Sequence, residues 1–352
     1  MSAPPSISIV GFAACTSLGY SLESSLAAMG AGLSNFTNTK VPNEFGHPVV
    51  AGPLVDPDAP RGERLAALVR HGLNDVRALL SPLGVESLPL LIGIPSDLSS
   101  DERDLLEMAL REAPSPIAAV AWFPQGRAST FAALASAMEV VGRQSARFVL
   151  VAGVDSLCAP AQVYSLVQAG RVLSPLTEGT IPGEAAAFAL IARADDPVVD
   201  TATSVRLEAV ALQRAVTPFT QAQVVSGDAL AAVFRALRRG GAQRVHRVIA
   251  AHSGEGYFGR SFAHAYLREI EVMPEPLTVE LIADRLGDVG AAAGILGLAF
   301  GVYLMVQDGP DGPRRALAYS ESDSGETGAA ILDGAPTSWR RPVVIDGNDS
   351  RR

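Results

Sequence analysis

The stretch FVLVAGVDS, residues 148–156, decides the fold. Its first six residues carry no polar side chain, and the run closes on Gly153, Asp155 and Ser156. An apolar run this short, ending in a turn signal, reads as a strand buried on both faces. Just upstream, residues 129–141 have the small-residue composition of a tightly packed helix. Just downstream, a Pro182-Gly183 turn leads into another apolar strand at residues 188–192.

The same alternation continues outward in both directions. Towards the N-terminus, residues 88–94 read as a buried strand and residues 101–111 as a helix with early acidic residues. Residues 63–80 show helical spacing through Leu65, Leu68, Leu73, Val76 and Leu80. Residues 34–61, rich in Pro, Asn and Gly, read as loop, and residues 21–29 as a helix with Ser21 as N-cap. The opening strand is at residues 7–11. Towards the C-terminus, residues 205–212 and 245–251 read as strands, and residues 226–239 and 291–305 as helices. Residues 315–320 and 329–333 read as the last strands, and residues 339–352 as a loose polar tail. Buried strands alternating with helices define an α/β fold with sheets covered on both faces. The expected organisation is one unit over residues 1–200, a second over 201–338, and the tail.

Composition narrows the function classes. Of 352 residues, 48% are hydrophobic and 18% charged, with a net charge of -9 and no basic cluster. Nucleic acid and anionic membrane surfaces are therefore not expected as partners. No run is expected to reach the ~18 apolar residues of a membrane span, and no signal peptide is read at the start, so the expected location is the cytoplasm. Cys15 and Cys158 read as reduced core residues. Lys40 is the only lysine, which a GC-rich coding bias explains, and no histidine follows His264.

Four segments, in order, resemble the β-ketoacyl synthase branch of the thiolase superfamily. ISIVGFAACTSLGYSLESSL, residues 7–26, resembles its opening strand, Gly turn and first helix. FVLVAGVDS resembles the strand and G-G-x-[DE] turn after the nucleophile helix. SPLTEGTIPGEAAAFALI, residues 174–191, resembles the G-E-G-A segment, and GDVGAAAGILGL, residues 287–298, the G-H-x-x-G-A-A-G helix start. The resemblance spans about residues 6–335. It implies a duplicated five-layer α-β-α-β-α architecture, usually dimeric through a strand of the first half.

Such enzymes use a Cys nucleophile, two His and usually a Lys. A helix N-terminus lowers the thiol pKa, and two imidazole N–H groups meet the developing negative charge. Carried onto this chain, the nucleophile falls at about Arg127, in Gly-Arg-Ala-Ser-Thr, where there is no cysteine. Arg127 would fill the space of an acyl thioester or bind an anion there. Ser129 reads as a helix N-cap, or alternatively as a substitute nucleophile. The first histidine corresponds to His252, whose bland reading is a turn residue bonded to backbone. The second falls at Asp288, an acceptor that cannot donate into an oxyanion hole and that makes sense as a helix cap. The lysine falls near Asp284 or Arg285, and the gating loop at residues 323–328 lacks its phenylalanines.

His252, Glu255 and Asp288 lack an evident fourth ligand, so neither metal nor cofactor is expected. No phosphate loop, C-x-x-C pair or G-x-S-x-G is present. The resulting expectation is a non-catalytic ketosynthase-like subunit. It would act as a dimeric scaffold or accessory protein in polyketide- or fatty-acid-type synthesis, or in loading a secreted effector. Expected partners are a second copy or a ketosynthase-like subunit, an acyl carrier protein, or the effector. The alternative is an acyltransferase or hydrolase using Ser129 with His252.

Overall fold

A computed structural model describes residues 6–113, 115–200, 202–216, 219, 224–309 and 311–338. The first half runs β1 (Ile7–Thr16), α1 (Leu22–Gly30), a hairpin of β2 (Thr37–Pro42) and β3 (Pro48–Ala51), α2 (Arg61–Leu80), β4 (Leu88–Gly93), α3 (Ser100–Glu112), β5 (Ile117–Phe123), α4 (Ser129–Gly142), β6 (Phe148–Ser156), α5 (Pro160–Gln168) and β7 (Glu184–Arg193). The second runs β8 (Val205–Arg214), α6 (Asp228–Arg239), β9 (Arg247–Ala250), α7 (Gly256–Arg268), β10 (Val279–Leu281), α8 (Ala283–Leu286), α9 (Ala293–Asp308), β11 (Arg315–Glu321) and β12 (Glu326–Asp333).

Each half builds the same sheet. In the first, the strand order is β1-β7-β6-β4-β5, and in the second β8-β12-β11-β9-β10. Numbering only the strands of each sheet, and so leaving out the β2–β3 hairpin, each reads first, fifth, fourth, second, third. The pairings agree too: the two steps from the first strand are antiparallel, and the remaining two are parallel. A short antiparallel contact, Ser8 with Arg206 and Ile9 with Val205, joins the sheets edge to edge.

The period of a strand sorts its side chains into layers. On β6, Val149 and Val151 enter a core shared with α4 and α9, and Ile249 of β9 and Ala318 of β11 reach the same core from the other sheet. Leu150 and Ala152 face the opposite way, into a core covered by α2 and α3. On the second sheet, Val248, Leu317 and Ile331 point outward to α6 and α7. Two helices between two sheets, with helices on both outer faces, are the five layers of the thiolase-like fold. Close approach at the centre requires glycine: a Cβ on Gly153 would lie 2.1 Å from the Ala291 carbonyl oxygen.

Several elements differ from the sequence reading. The stretch read as loop contains the β2–β3 hairpin, and β5, α5, α7 and β10 were not foreseen. The span Gly290–Asp308 does reach membrane-crossing length and apolarity, contrary to expectation, but 78% of its 18-residue window is buried. It contains α9, one of the two central-layer helices, apolar all round because sheets flank it on both sides. The loose tail expected at residues 339–352 lies outside the described residues.

Candidate functional site

The two central helices begin alike. A 3-10 turn over Gly126–Ala128 feeds α4, and another over Gly290–Ala292 feeds α9. The repeat therefore brings Arg127 of one half opposite Asp288 of the other. Arg127 Nε lies 3.1 Å from both Asp288 carboxylate oxygens, and Nη2 lies 2.7 Å from Oδ2. Both residues are buried, at 6% and 2% exposure. Asp288 Oδ1 also accepts the Gly290 N–H at 3.0 Å, so it caps the turn that starts α9.

The pair is part of a larger charged cluster. Arg127 Nη1 donates to Asp323 Oδ1 at 2.7 Å and to the Glu321 carbonyl oxygen at 3.3 Å. Arg171, in the loop after α5, donates to Asp323 Oδ2 at 2.6 Å and forks onto Glu255 at 2.9 and 2.6 Å. The guanidinium groups also lie over rings, Arg127 over Phe258 at 5.1 Å and Arg171 over Phe219 at 4.6 Å. Burial alone would lower the Arg127 pKa, but the charges of Asp288 and Asp323 outweigh it and hold this group protonated. Burial alone would raise Asp323, yet Arg127 and Arg171 keep it well below the usual carboxylate range. Asp323 lies in the turn between β11 and β12 that corresponds to the gating loop, and there a carboxylate fastens the turn.

His252 sits just past β9. Its Nδ1 accepts the Gly254 N–H at 3.1 Å, and its ring packs against Phe258 and Tyr319. The bland reading of a turn histidine thus holds in part, with the bond running from a backbone donor rather than to a carbonyl. Burial, helped by the Arg127 charge, pushes His252 down to about 3. The imidazole is neutral, and because Nδ1 accepts, the proton lies on Nε2. Arg127 and His252 share Phe258 as a neighbour, so the sequence-read positions do converge.

Ser129 does not join them. Ala128, not Ser129, occupies the cap position of α4, and no side chain caps the helix there. Ser129 Oγ is fully buried without a hydrogen-bond partner, against Gly93 of β4. The lysine region is also elsewhere: Arg285 Nε donates to the Met29 carbonyl oxygen at 2.9 Å. Glu255 turns to Arg171 and Ser253 rather than to His252. No cluster of three or more metal-ligating side chains is found among the described residues. Both thiols are buried; burial raises Cys15 to about 12 and Cys158 upward as well, so neither supplies a thiolate.

A cavity of about 290 Å³ opens beside the cluster, lined by Arg61, Asp97, Asp155, Arg127, Arg171, Asp288 and Asp323 among others. On its far wall Arg61 pairs with Asp97 at 2.9 Å and faces Asp155 at 3.6 Å. Burial lifts Asp155 to about 6 despite Arg61. The lining thus carries three arginines against four aspartates. Sequence reasoning found Arg127, His252 and Asp288 but missed Arg61, Asp97 and Arg171, for which no motif gave a signal.

No family model matches the sequence, and no curated protein matches it. Solved structures do match. The ishigamide ketosynthase/chain length factor superposes with a TM-score of 0.74 at 16% identity, over 94% of this chain and 100% of that one. A type II PKS acyl-carrier protein in complex with its ketosynthase bound to the hexaketide, AntDE:AntF, gives 0.73 at 14% identity, over 94% and 100%. The ketosynthase from module 6 of the bacillaene synthase of Bacillus subtilis 168 gives 0.70 at 13% identity, over 94% and 72%. The chain therefore has the thiolase-like ketosynthase fold.

Proposed function

We propose that this chain is a non-condensing, ketosynthase-like subunit that works through association, as a second copy of itself or beside a ketosynthase-like chain. The observation that carries the reading is the buried Arg127–Asp288 pair. It occupies the two positions where the resemblance puts a nucleophile and an oxyanion donor. A guanidinium does not carry an acyl group, and an ionised carboxylate only accepts hydrogen bonds. His252 keeps a donor proton on Nε2, but one donor without a nucleophile gives no covalent route. An excess of aspartate over arginine around the cavity also disfavours an anionic substrate such as a malonyl group.

Association has a surface to use. β5 lies at the free end of the first sheet, pairing on one side with β4. Its sequence IAAVAWF is apolar, and Ala118, Ala119 and Ala121 are exposed along it. Exposed strand edges of this kind pair with another chain unless they are protected. An acyl carrier protein, as in the AntDE:AntF complex, or a secreted effector is the further partner we propose, with the cytoplasm as the place of action.

The rival acyl-enzyme reading has little support, because Ser129 is sealed from the cavity side and unbonded to His252. Incubating the protein with acetyl-CoA and with an acyl carrier protein charged with an acyl group, then measuring intact mass, separates the two. No adduct is expected. A stoichiometric adduct that disappears in Ser129→Ala would replace our reading with the enzyme one.

A further inference from the structure

A second cavity, of about 380 Å³, lies between the end of β8, the start of α6 and one face of α7. Its wall includes Glu321, the last residue of β11, together with Tyr257, Ser261, Ala229 and Ala232. Glu321 is 8% exposed. Its Oε2 accepts the Ser261 hydroxyl at 2.8 Å, whereas Oε1 has no partner. A buried carboxyl oxygen without a donor is costly and rare in a folded protein. The other charged groups of this cavity are answered: Asp228 by Arg268 at 2.6 Å and Arg214 by Glu326 at 3.5 Å. Arg127 donates to the Glu321 backbone carbonyl and to Asp288 and Asp323, but not to the Glu321 carboxyl. Among the described residues, Glu321 is thus a carboxyl of the cavity wall with no cation paired to it and no donor to Oε1.

We propose that this cavity binds a small primary amine, whose ammonium group pairs with Glu321 and whose short aliphatic body lies against Ala229, Ala232 and the Tyr257 ring. The terminal torsion of a Glu side chain is soft, so a modest turn of the carboxyl presents Oε1 to a donor in the cavity. Ammonium is the class that fits, because it supplies both the missing donor and the missing charge. The inference is independent of whether the Arg127 site is catalytic.

The charge state of Glu321 gives the proposal a signature. Burial pushes its carboxyl up to about 7, against the Ser261 hydrogen bond and the Arg127 charge, while the neighbouring Tyr257 and Tyr319 hydroxyls stay neutral with raised pKa values. An amine must then displace a proton from Glu321 below that pH. Titration calorimetry with n-butylamine at pH 6, 7 and 8, with n-butanol as the neutral control, tests this. We expect saturable amine binding that tightens about tenfold from pH 6 to pH 8, no saturable butanol binding, and loss of amine binding in Glu321→Gln. Ser261→Ala removes the hydrogen bond that favours the carboxylate, so the midpoint of the pH dependence should move upward. That variant decides the matter if Glu321→Gln does not fold. Absence of saturable amine binding, equal binding of butanol, equal binding by Glu321→Gln, or an unmoved midpoint in Ser261→Ala would each overturn the proposal.

Discussion

Two of the buried arginine–carboxylate pairs, Arg64–Glu184 and Arg127–Asp288, are built differently. Arg64 of α2 and Glu184 of β7 are both fully buried, with two bonds of 2.8 Å between them. Glu184 also accepts the Leu54 and Val55 N–H groups and the Ser156 hydroxyl. Arg64 in turn reaches the Asp56 carbonyl oxygen. Every oxygen is used, and the pair ties the 52–56 loop to the first sheet. Arg127 and Asp288 instead border a cavity and share their partners with Asp323, Arg171 and Glu255. The first pair closes a core. The second spans the meeting point of the two halves, Arg127 coming from one and Asp288 from the other. Burial alone therefore does not separate a pair that closes a core from one that lines a cavity; the neighbouring space does.

The largest effect should come from breaking the closed pair. Arg64→Ala leaves Glu184 buried and uncompensated and should cost about 3–5 kcal/mol, measured by denaturant unfolding. Arg127→Ala should cost less, about 1–3 kcal/mol, because water from the cavity reaches Asp288. Equal losses in the two variants would erase the distinction. Replacing both members of the second pair, Arg127→Met with Asp288→Leu, should recover most of the single-variant loss, since apolar replacement of a buried pair is often neutral. A double variant no better than Arg127→Ala would mean that the pair itself holds the halves together.

The carboxyls beside the second pair sharpen the comparison with pH. Asp155 and Glu321 have folded pKa values of about 6 and about 7, above ordinary values of 3.8 and 4.5. Through the window from roughly pH 4 to 7 these two groups hold more protons in the folded state than in the unfolded chain, so their contribution to stability falls as pH rises. Glu321→Gln should flatten that slope in unfolding experiments across the window. The smallest effect belongs to the surface: Lys40 and Asp58 pair at 2.6 Å with side chains 76% and 62% exposed. Removing Lys40, the only lysine, should shift stability by less than about 1 kcal/mol.

Much of the layered architecture was legible in the sequence, because central strands such as β6 are continuous apolar runs that nothing but a covered sheet accommodates. Edge elements were not. In β5 the small alanines alternate too weakly to show a face, and α7, GYFGRSFAHAYLR, joins glycines and aromatics of modest helix propensity. It is a helix because Phe258 and Phe262 are buried along it. α5 did carry a local signal, Pro160 at its first position. At the site, motif order located Arg127, His252 and Asp288. Arg171 escaped because no motif marks it, and it meets Asp323, 152 residues away, only in the folded chain. Ser129 was misread as a cap because the 3-10 turn before α4 places Ala128 there instead.

The proposed function requires that the Arg127–Asp288 site does not condense. Its most direct test incubates the protein with an acyl donor and malonyl-acyl carrier protein, follows product by mass spectrometry, and runs an authentic ketosynthase as positive control. Wild type and the single variant Arg127→Cys should both give no condensation product while remaining folded, because groups that act as a unit are not restored one at a time. Condensation product from the wild-type protein would overturn the proposed function.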